Sequence, residues 1–539
     1  MIGTLLVANR GEIAARIFRT CDRLGIATAA VATPQDAGAF HTRQAKRTYE
    51  VGSYLDASAL VEAAKAAGAH AVHPGYGFLA ESADFAAAVD NAGIGWIGPP
   101  PVALRLAGDK IEAGRAAQRA GIPTVPTGTA EEIGFPLMVK AAAGGGGRGL
   151  RIVRDRADLG AALAAARREA KVAFGDDRVY CEQLIEAARH VEVQLLADRH
   201  GQVLALRERD CSIQRRHQKI IEESPSPAVN EHLREQLAVY AASLARAIGY
   251  QSAGTAEFLI AADGRASFLE LNARIQVEHP VTELLYGLDL IEWQLRIAAG
   301  ETLQINSTPR GHAVEARLYA EHPLTFLPQG GRITALQLPT GIRADFGVES
   351  GDEIPLAYDP MIAKLIAHGE SRGAALEQLS TALEETSVDG VTTNLPFLRW
   401  ALGHPLVKAG AATTSFLDEH PPLSRRYAVP RGWRGRFRLS TGPDQGAPSR
   451  RPAPTVERTR SRAPVVDGEA TVCAPMPGSV VRVLAKAGAQ VTACEPLVIL
   501  EAMKMETPVA APYAAQVRDI HVAEGDQVAS EQALVTLEP

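Results

Sequence analysis

Over roughly the first 110 residues, short apolar runs alternate with stretches of helical period. Leu5–Ala8 and Ile26–Ala32 read as buried strands, and Glu12–Leu24 and Ala57–Ala67 read as helices. Such alternation predicts a parallel sheet with helices on both faces. Residues 128–203 form a second unit with a glycine cluster, and residues 204–420 a third, built of hairpins and helices. In the third, Ala256–Ala262 and Arg265–Leu271 read as strands around Asp263-Gly264, a type I′ turn signal. That turn sets Ala262 opposite Arg265 and, counting back, Glu257 opposite Glu270. From Glu270 the polar residues fall on every second position: Glu270, Asn272, Arg274, Gln276 and Glu278. If the segment stays extended, all five share one face.

The C-terminal pattern repeats itself. Ala474-Pro475 recurs as Ala511-Pro512, Ala487–Val491 as Glu524–Val528, and Val498–Glu501 as Val535–Glu538, each at an offset of 37. A fixed offset means two copies of one supersecondary unit. Each copy reads as short strands punctuated by Gly and Pro, and two half-sheets of this kind pack as a small sandwich. Lys504 lies at the junction, on a tight turn between Met503 and Met505. Between this unit and the rest, residues 425–464 are rich in arginine and proline and poor in aliphatics. Such a segment cannot bury enough apolar area to fold alone, so it reads as a linker. As a coil it spans roughly 35 Å, and fully stretched on the order of 130 Å.

Composition narrows the classes. A chain of 539 residues has room for several domains. A net charge of −6 gives no support for nucleic-acid binding, and aromatics are sparse in the basic linker. No apolar run is long enough to span a bilayer, and no signal peptide opens the chain, so a cytoplasmic protein with no membrane or nucleic-acid partner is expected. Five cysteines without a C-x-x-C pair argue against a zinc site or disulfide framework and fit a reducing compartment.

The glycines Gly144, Gly145, Gly146 and Gly147 lie between strand-like Leu137–Lys140 and Leu150–Val153. Backbone amides there can turn inward as an anion nest, which predicts a hairpin loop over phosphates. It is neither a Walker loop nor a dinucleotide fingerprint. Lys140 ends the preceding strand, and Lys110 is a second phosphate candidate. Like charges at Glu257 and Glu270 would repel across a hairpin. A cation between them removes the conflict, and carboxylates near phosphates favour Mg²⁺. The dense basic run Arg207–Lys219 reads as an anion site.

Together these stretches resemble a known family. Asn9–Ala14, His73–Leu79, the glycine loop, Arg209–Lys219 and Arg274–Pro280 are similar to the motifs of biotin carboxylase, in the right order over nearly all of residues 1–420. Ala502–Met505 on a duplicated unit resembles the biotinyl domain of biotin-dependent carboxylases. The resemblance implies an acyl-CoA carboxylase α-subunit of α/β and α+β class: an ATP-grasp carboxylase followed by an all-β biotinyl sandwich. The implied boundaries are an N-terminal domain at 1–112, a lid at 113–203, a C-terminal domain at 204–424, the linker at 425–464 and the carrier at 465–539.

By the same resemblance Lys504 carries biotin, and Lys110, Lys140, His190 and the glycine loop contact ATP, with Glu182 near adenine and His217 beside the nucleotide. Glu257, Glu270 and Asn272 hold Mg²⁺, or Mn²⁺ in its place. Lys219, Arg274, Gln276 and the Val277 backbone hold bicarbonate, Glu278 is the general base, and Arg343 stabilises the biotin enolate. Glu278 then deprotonates bicarbonate for attack on the γ-phosphate, and the carboxyphosphate formed gives CO₂ and phosphate. Ala143 and Ala273 depart from common family residues. The implied partners are a separate carboxyltransferase β-subunit, a biotin protein ligase and a second copy of the carboxylase domain. Many α-subunits carry a folded docking domain where this chain has the linker. A pyruvate or other non-acyl-CoA carboxylase subunit fits the same layout.

Overall fold

The computed structural model describes residues 2–144, 150–422, 470–475, 478–502, 505–528 and 532–538. Gly145, Gly146, Gly147, the 425–464 segment and Lys504 lie outside the described residues. The chain divides into two units, residues 1–423 and 424–539.

In the first unit, β1 (Thr4–Val7), β2 (Ala27–Ala32), β3 (Arg47–Glu50), β4 (Ala71–His73) and β5 (Gly95–Trp96) form a parallel sheet in the order β3-β2-β1-β4-β5. Leu5, Leu6 and Val7 are all buried because helices cover both faces. The helix Gly11–Arg23 buries Ile13, Ile17, Phe18 and Cys21 on one stripe. The strand order reverses between β1 and β4, where the Asn9–Ala14 and His73–Leu79 motifs meet. Asn9 Nδ2 donates to the Pro74 and Tyr76 carbonyls at 2.7 Å each. Gly75 turns there at φ +63°, and a Cβ would come within 2.9 Å of Asn9 Nδ2.

β6 (Thr127–Gly128), β7 (Leu137–Ala141), β8 (Arg151–Val153) and β9 (Val179–Gln183) form a small antiparallel sheet under the helix Leu159–Phe174. β7 and β8 are hairpin partners, as expected for the strands flanking the glycine loop.

The centre is an antiparallel sheet of eight strands: β10 (Arg189–Ala197), β11 (Val203–Arg215), β12 (Gln218–Ser224), β13 (Ser252–Ile260), β14 (Ala266–Asn272), β15 (His312–Tyr319), β18 (Arg343–Phe346) and β20 (Met361–Gly369). Their order is β14-β13-β10-β11-β12-β15-β20-β18. Two short ladders flank it, β16 (Gly331–Arg332) with β19 (Glu353–Ile354) and β17 (Ala335–Gln337) with β21 (Ser387–Asp389). β10 pairs with β11 and β13, so the expected boundary at 203/204 gives way to one before residue 189. Helical and strand period could not show which sheet β10 would join.

Period two gives the central sheet two unlike faces. Val191, Val193, Phe258, Val314 and Leu365 are fully buried on the apolar side. The other side carries a continuous row of charges: Glu270, Glu257, Glu192, Arg209, Glu222, Glu315 and Arg317, Lys364 and Asp345, strand by strand.

The hairpin turn differs from expectation. Gly264 has φ +84° but Asp263 does not share the left-handed region, so the turn is not type I′. Ala261 N–H bonds Arg265 O across a connection one residue longer, and Phe258 pairs with Phe268. A bulge then restores Glu257 opposite Glu270.

In the second unit, β22 (Ala470–Cys473), β23 (Gly478–Val483), β24 (Gln490–Val491), β25 (Pro496–Ala502), β26 (Met505–Ala510), β27 (Ala515–Ile520), β28 (Gln527–Val528) and β29 (Ala533–Glu538) form two four-stranded sheets. Their orders are β22-β29-β27-β24 and β26-β25-β23-β28. The sandwich is as expected, but the two copies do not each build their own sheet. Each sheet takes two strands from either copy, so both sheets need both halves. Val480, Leu497, Leu500, Val517, Leu534 and Leu537 fill the space between.

His73 gives a pH test of the first unit. Its Nδ1 accepts the Gly75 N–H at 3.0 Å, so Nε2 is the donor toward Gln294 Oε1 at 3.2 Å. Complete burial holds the ring's pKa down at about 3, against 6.5 ordinarily. The unfolded ring therefore binds a proton that the folded one refuses. The contribution to stability is whole above pH 6.5 and is lost as pH falls toward 3. In His73→Gln, the loss of stability from pH 7.5 to pH 5, read by denaturant titration, is smaller than in the wild type by about 2 kcal/mol.

Candidate active site

The site grows from the charged face of the central sheet. Glu257 on β13 lies between Glu192 on β10 and Glu270 on β14, three carboxylates in adjacent register. Unanswered, they would repel strongly in so dry a place. Three cations answer them. Lys219 Nζ reaches Glu192, donates to Glu257 Oε1 at 2.7 Å and to Glu278 Oε1 at 2.8 Å. Arg209, fully buried, donates from Nε to Glu192 Oε1 at 2.5 Å. Lys110 pairs with Glu270. The Glu257–Glu270 conflict read from the sequence is thus relieved by two lysines.

Lys219 sits at an irregularity. Ile213 pairs with Ile221, but Gln214 pairs with Lys219. The extra residue on β12 is a bulge, and it brings Lys219 to the same face as Glu222 despite their odd spacing.

β14 ends at Asn272, so the alternating residues beyond it are not in a strand. They converge nonetheless. Ala273 and Ile275 are buried in the core and anchor the intervening polar residues inward. Asn272 Nδ2 donates to Glu257 Oε1 at 2.8 Å, and Gln276 Nε2 to the same oxygen at 3.1 Å. Arg274 donates to Gln276 Oε1 at 2.8 Å and Asn272 Oδ1 at 3.0 Å. Lys364 Nζ holds the Val277 carbonyl at 2.8 Å. His190 Nε2 lies 2.9 Å from Glu257 Oε2, and His217 faces Lys140 and His190.

The charges shape the titration. Burial alone would raise Glu278, but Lys219, Arg317 and Arg209 outweigh it and hold its carboxyl well below the usual range. Burial likewise opposes Glu257, and Lys219 with His190 overrides it. Lys219 is pushed well above an ordinary lysine because its carboxylates outweigh its burial. Glu278 is therefore an ionised carboxylate poised beside a cation.

Two expected members stand apart. Lys140 donates to Glu182 Oε1 at 2.5 Å on the small sheet, close enough for its charge to be felt at Glu270. Arg343 is bound by Glu283 and Asp345 at 2.8 Å each, in a cluster with Arg16 that lines a cavity of about 720 Å³. Gly144 is exposed at φ +82°. The reading of Arg207–Lys219 as one anion site is corrected: Arg209 is consumed by Glu192 and Arg215 by Glu321, and Lys219 alone of these three reaches Glu278. Glu192, Arg317 and Lys364 went unnoticed as site members, and Arg209 was read only as part of the basic run. Alternation within β10 and β15 marks a polar face, but no local signal says which strands become neighbours.

Oxygen donors from Glu257, Glu270 and Asn272 are the kind a hard divalent cation takes, so the donor set fits Mg²⁺. Among the described residues, no helix is long and apolar enough to cross a membrane.

The comparisons with known proteins bear on this geometry. The biotin carboxylase N-terminal domain profile matches residues 1–104, the ATP-binding domain profile of carbamoyl-phosphate synthase L chain 109–306, and the biotin carboxylase C-terminal domain profile 315–419. The biotin carboxylase of Halalkalibacterium halodurans is 45% identical over 443 residues, covering 78% of this chain and 98% of that protein. This chain belongs to the biotin carboxylase family. Residues 470–537 match the profile of biotin-requiring enzymes, so the carboxylase is joined to a biotin carrier domain. It is an enzyme, and its reaction is the ATP-dependent carboxylation of biotin on a carrier. The mitochondrial methylcrotonoyl-CoA carboxylase subunit alpha of Oryza sativa is 46% identical over 442 residues, 77% of this chain and 60% of that one. The biotin carboxylase domain dimer of Hydrogenobacter thermophilus 2-oxoglutarate carboxylase, solved with MgADP, ADP and bicarbonate, superposes with a TM-score of 0.77 at 42% identity, covering 78% of this chain and 98% of that chain.

Arg209→Met leaves Glu192 buried with one cation in place of two. It should lower stability in denaturant unfolding by about 3–5 kcal/mol. Arg209→Met with Glu192→Leu should recover most of that stability without recovering biotin carboxylation.

Proposed function

We propose that this chain is the α-subunit of an acyl-CoA carboxylase: it carboxylates biotin on its own Lys504 and hands the carboxyl group to a separate carboxyltransferase. The observation that carries the carboxylation half is the convergence of Lys219, Glu278, Arg274 and Gln276 beside the Glu257–Glu270 pair. Lys219, Arg274, Gln276 and the Val277 backbone would hold bicarbonate, and Glu278, kept ionised by Lys219 and Arg317, would take its proton. Lys110, Lys140, His190, His217, Glu182 and the glycine loop would hold ATP. Glu257, Glu270 and Asn272 would hold Mg²⁺, which when bound offsets charge on the phosphoryl oxygens. Lys110 and Lys219 would then turn from the carboxylates they pair with toward the bound anions. Arg343, already held by two acids, would offer its remaining N–H groups to the biotin ureido oxygen.

The likeness to methylcrotonoyl-CoA carboxylase subunit alpha supports an acyl-CoA acceptor. The likeness to a 2-oxoglutarate carboxylase domain keeps a second reading, the equivalent subunit of a pyruvate or other non-acyl-CoA carboxylase. Dimerisation through the carboxylase domain and loading by a biotin protein ligase complete the proposal.

Glu278→Gln should lower bicarbonate-dependent ATP hydrolysis by about 10²–10⁴-fold while nucleotide binding persists. Full activity in that variant would remove Glu278 from the chemistry. Lys504→Arg should abolish streptavidin capture. Mass spectrometry of what the wild type brings down reads the acceptor class: an acyl-CoA carboxyltransferase supports the first reading, a keto-acid transferase the second.

A further inference from the structure

Two consecutive carbonyls in the segment that carries Glu278 are each held by a buried side chain. Gln276 O accepts from His279 Nδ1 at 2.8 Å and from the His279 N–H at 3.3 Å. Val277 O accepts from Lys364 Nζ at 2.8 Å. A trans peptide points its N–H opposite to its carbonyl, and only φ and ψ turn one peptide plane against the next. Holding both carbonyls therefore fixes Val277 on both sides. Among the described residues no group accepts the Val277 N–H, and Val277 itself is only half-buried. A fixed, unspent backbone donor beside Gln276 is the kind of group that recognises an anion.

Stability does not account for Lys364 at that post. Glu278 is the N-cap of the helix His279–Tyr286, so Lys364 brings a positive charge to the positive end of a helix. The side chain is fully buried and needs Glu12, whose Oε1 lies 3.0 Å from Nζ, to answer its charge. A buried ion pair stabilises a fold no better than an apolar pair of the same size. What it supplies here is geometry. Glu12 is itself pinned: its Oε2 accepts the Tyr76 hydroxyl at 2.6 Å, and Gly347 packs so closely that a Cβ there would lie 2.3 Å from the Glu12 nitrogen. Gly347 N–H bonds Ile362 O at 3.2 Å, on the strand that carries Lys364. The ammonium group is thus fixed by its own strand and by its counter-ion.

We propose that Lys364 is a positioning residue for the bicarbonate site: together with His279 it clamps the carbonyls on either side of Val277 and aims the Val277 N–H at the bound anion. The inference rests on the reading that bicarbonate binds among Lys219, Arg274, Gln276 and Val277. Burial first, and then the charge of Lys364, hold His279 well below its usual pKa. The ring therefore carries one proton, on the Nδ1 that faces Gln276 O. Lys364 touches neither the anion nor the reacting atoms; it acts through the backbone of Val277.

The test uses the full-length biotinylated enzyme. Lys364→Met removes the clamp but strands Glu12 in the interior, so Lys364→Met with Glu12→Gln is measured beside it. The amide oxygen introduced at position 12 can still accept the Tyr76 hydroxyl. The double variant should regain the stability that the single one loses. In both, KM for bicarbonate should rise about 10–100-fold, the loss of one well-aimed hydrogen bond to a charged group, while KM for ATP stays at the wild-type value. A wild-type KM for bicarbonate in the folded double variant overturns the role of Lys364. The second readout is the Val277 amide itself. With a ¹³C carbonyl in glutamine and ¹⁵N in valine, only five Gln–Val peptides carry both labels, so the Gln276–Val277 signal is resolved by NMR. That signal should move on addition of bicarbonate in wild type and stay still in the double variant. It should also differ between the two proteins before bicarbonate is added, and an unchanged position overturns the clamp. If bicarbonate does not move it in wild type, the bicarbonate reading fails, and the spectra without bicarbonate still decide the clamp.

Discussion

Everything at the site depends on neutralising a row of charges that crosses one buried face of an eight-stranded sheet. Strand by strand the row alternates acid and base imperfectly: three carboxylates at one end, then Arg209, then two more carboxylates, then Arg317, Lys364 and Asp345. No single strand could hold its charge in so dry a place. Each is tolerated because its neighbour across the ladder, or the 273–278 segment laid over the face, supplies the opposite sign. Lys219 illustrates the point, with three carboxylates around one ammonium group. The arrangement is poor as a source of stability, since an apolar face would serve better. Its value is that the row is poised: a bound anion near Lys219, or a cation near Glu257, can exchange for a partner already present.

The same row explains motifs far away in sequence. Glu12, from the first strand–helix turn, accepts the Tyr76 hydroxyl at 2.6 Å and lies 3.0 Å from Lys364 Nζ. Lys364 is fully buried and also holds the Val277 carbonyl. Glu12, Tyr76 and Lys364 thus tie the switch point of the parallel sheet to the segment that carries Gln276 and Glu278. Arg343 is tied in by Asp345, its near neighbour on β18 and the register partner of Lys364. Two sheets of different topology are thereby referenced to one backbone carbonyl. A site divided between domains needs such a reference if its parts are to stay within hydrogen-bond distance.

Much of this was legible in the sequence, for identifiable reasons. Period-two alternation from Glu270 to Glu278 predicted convergence, and it held beyond the end of β14 because Ala273 and Ile275 remain core residues. Glu257 faces Glu270 as expected, although by a different route: a longer turn and a bulge each shift the pairing by one, in opposite senses. The 37-residue repeat predicted a two-sheet sandwich, while the exchange of strands between its halves lay beyond reach. Offsets report which segments are alike and are silent about which pair. For the same reason Glu192 and Arg317 were invisible, as was the pairing of Arg209 with Glu192. Their partners come from strands chosen by tertiary pairing, and the bulge that turns Lys219 inward leaves no mark on hydrophobic period.

The strand exchange in the carrier bears on how firmly its β25–β26 hairpin is held. Glu501 pairs with Glu506 and Ala502 with Met505, which leaves Met503 and Lys504 as the only residues between β25 and β26. β25 is flanked by β23 from its own half and by β26, while the opposite sheet closes the core with β27 and β29. The hairpin that carries Lys504 therefore rests on strands from both copies of the repeat, and it cannot loosen without loosening the whole sandwich.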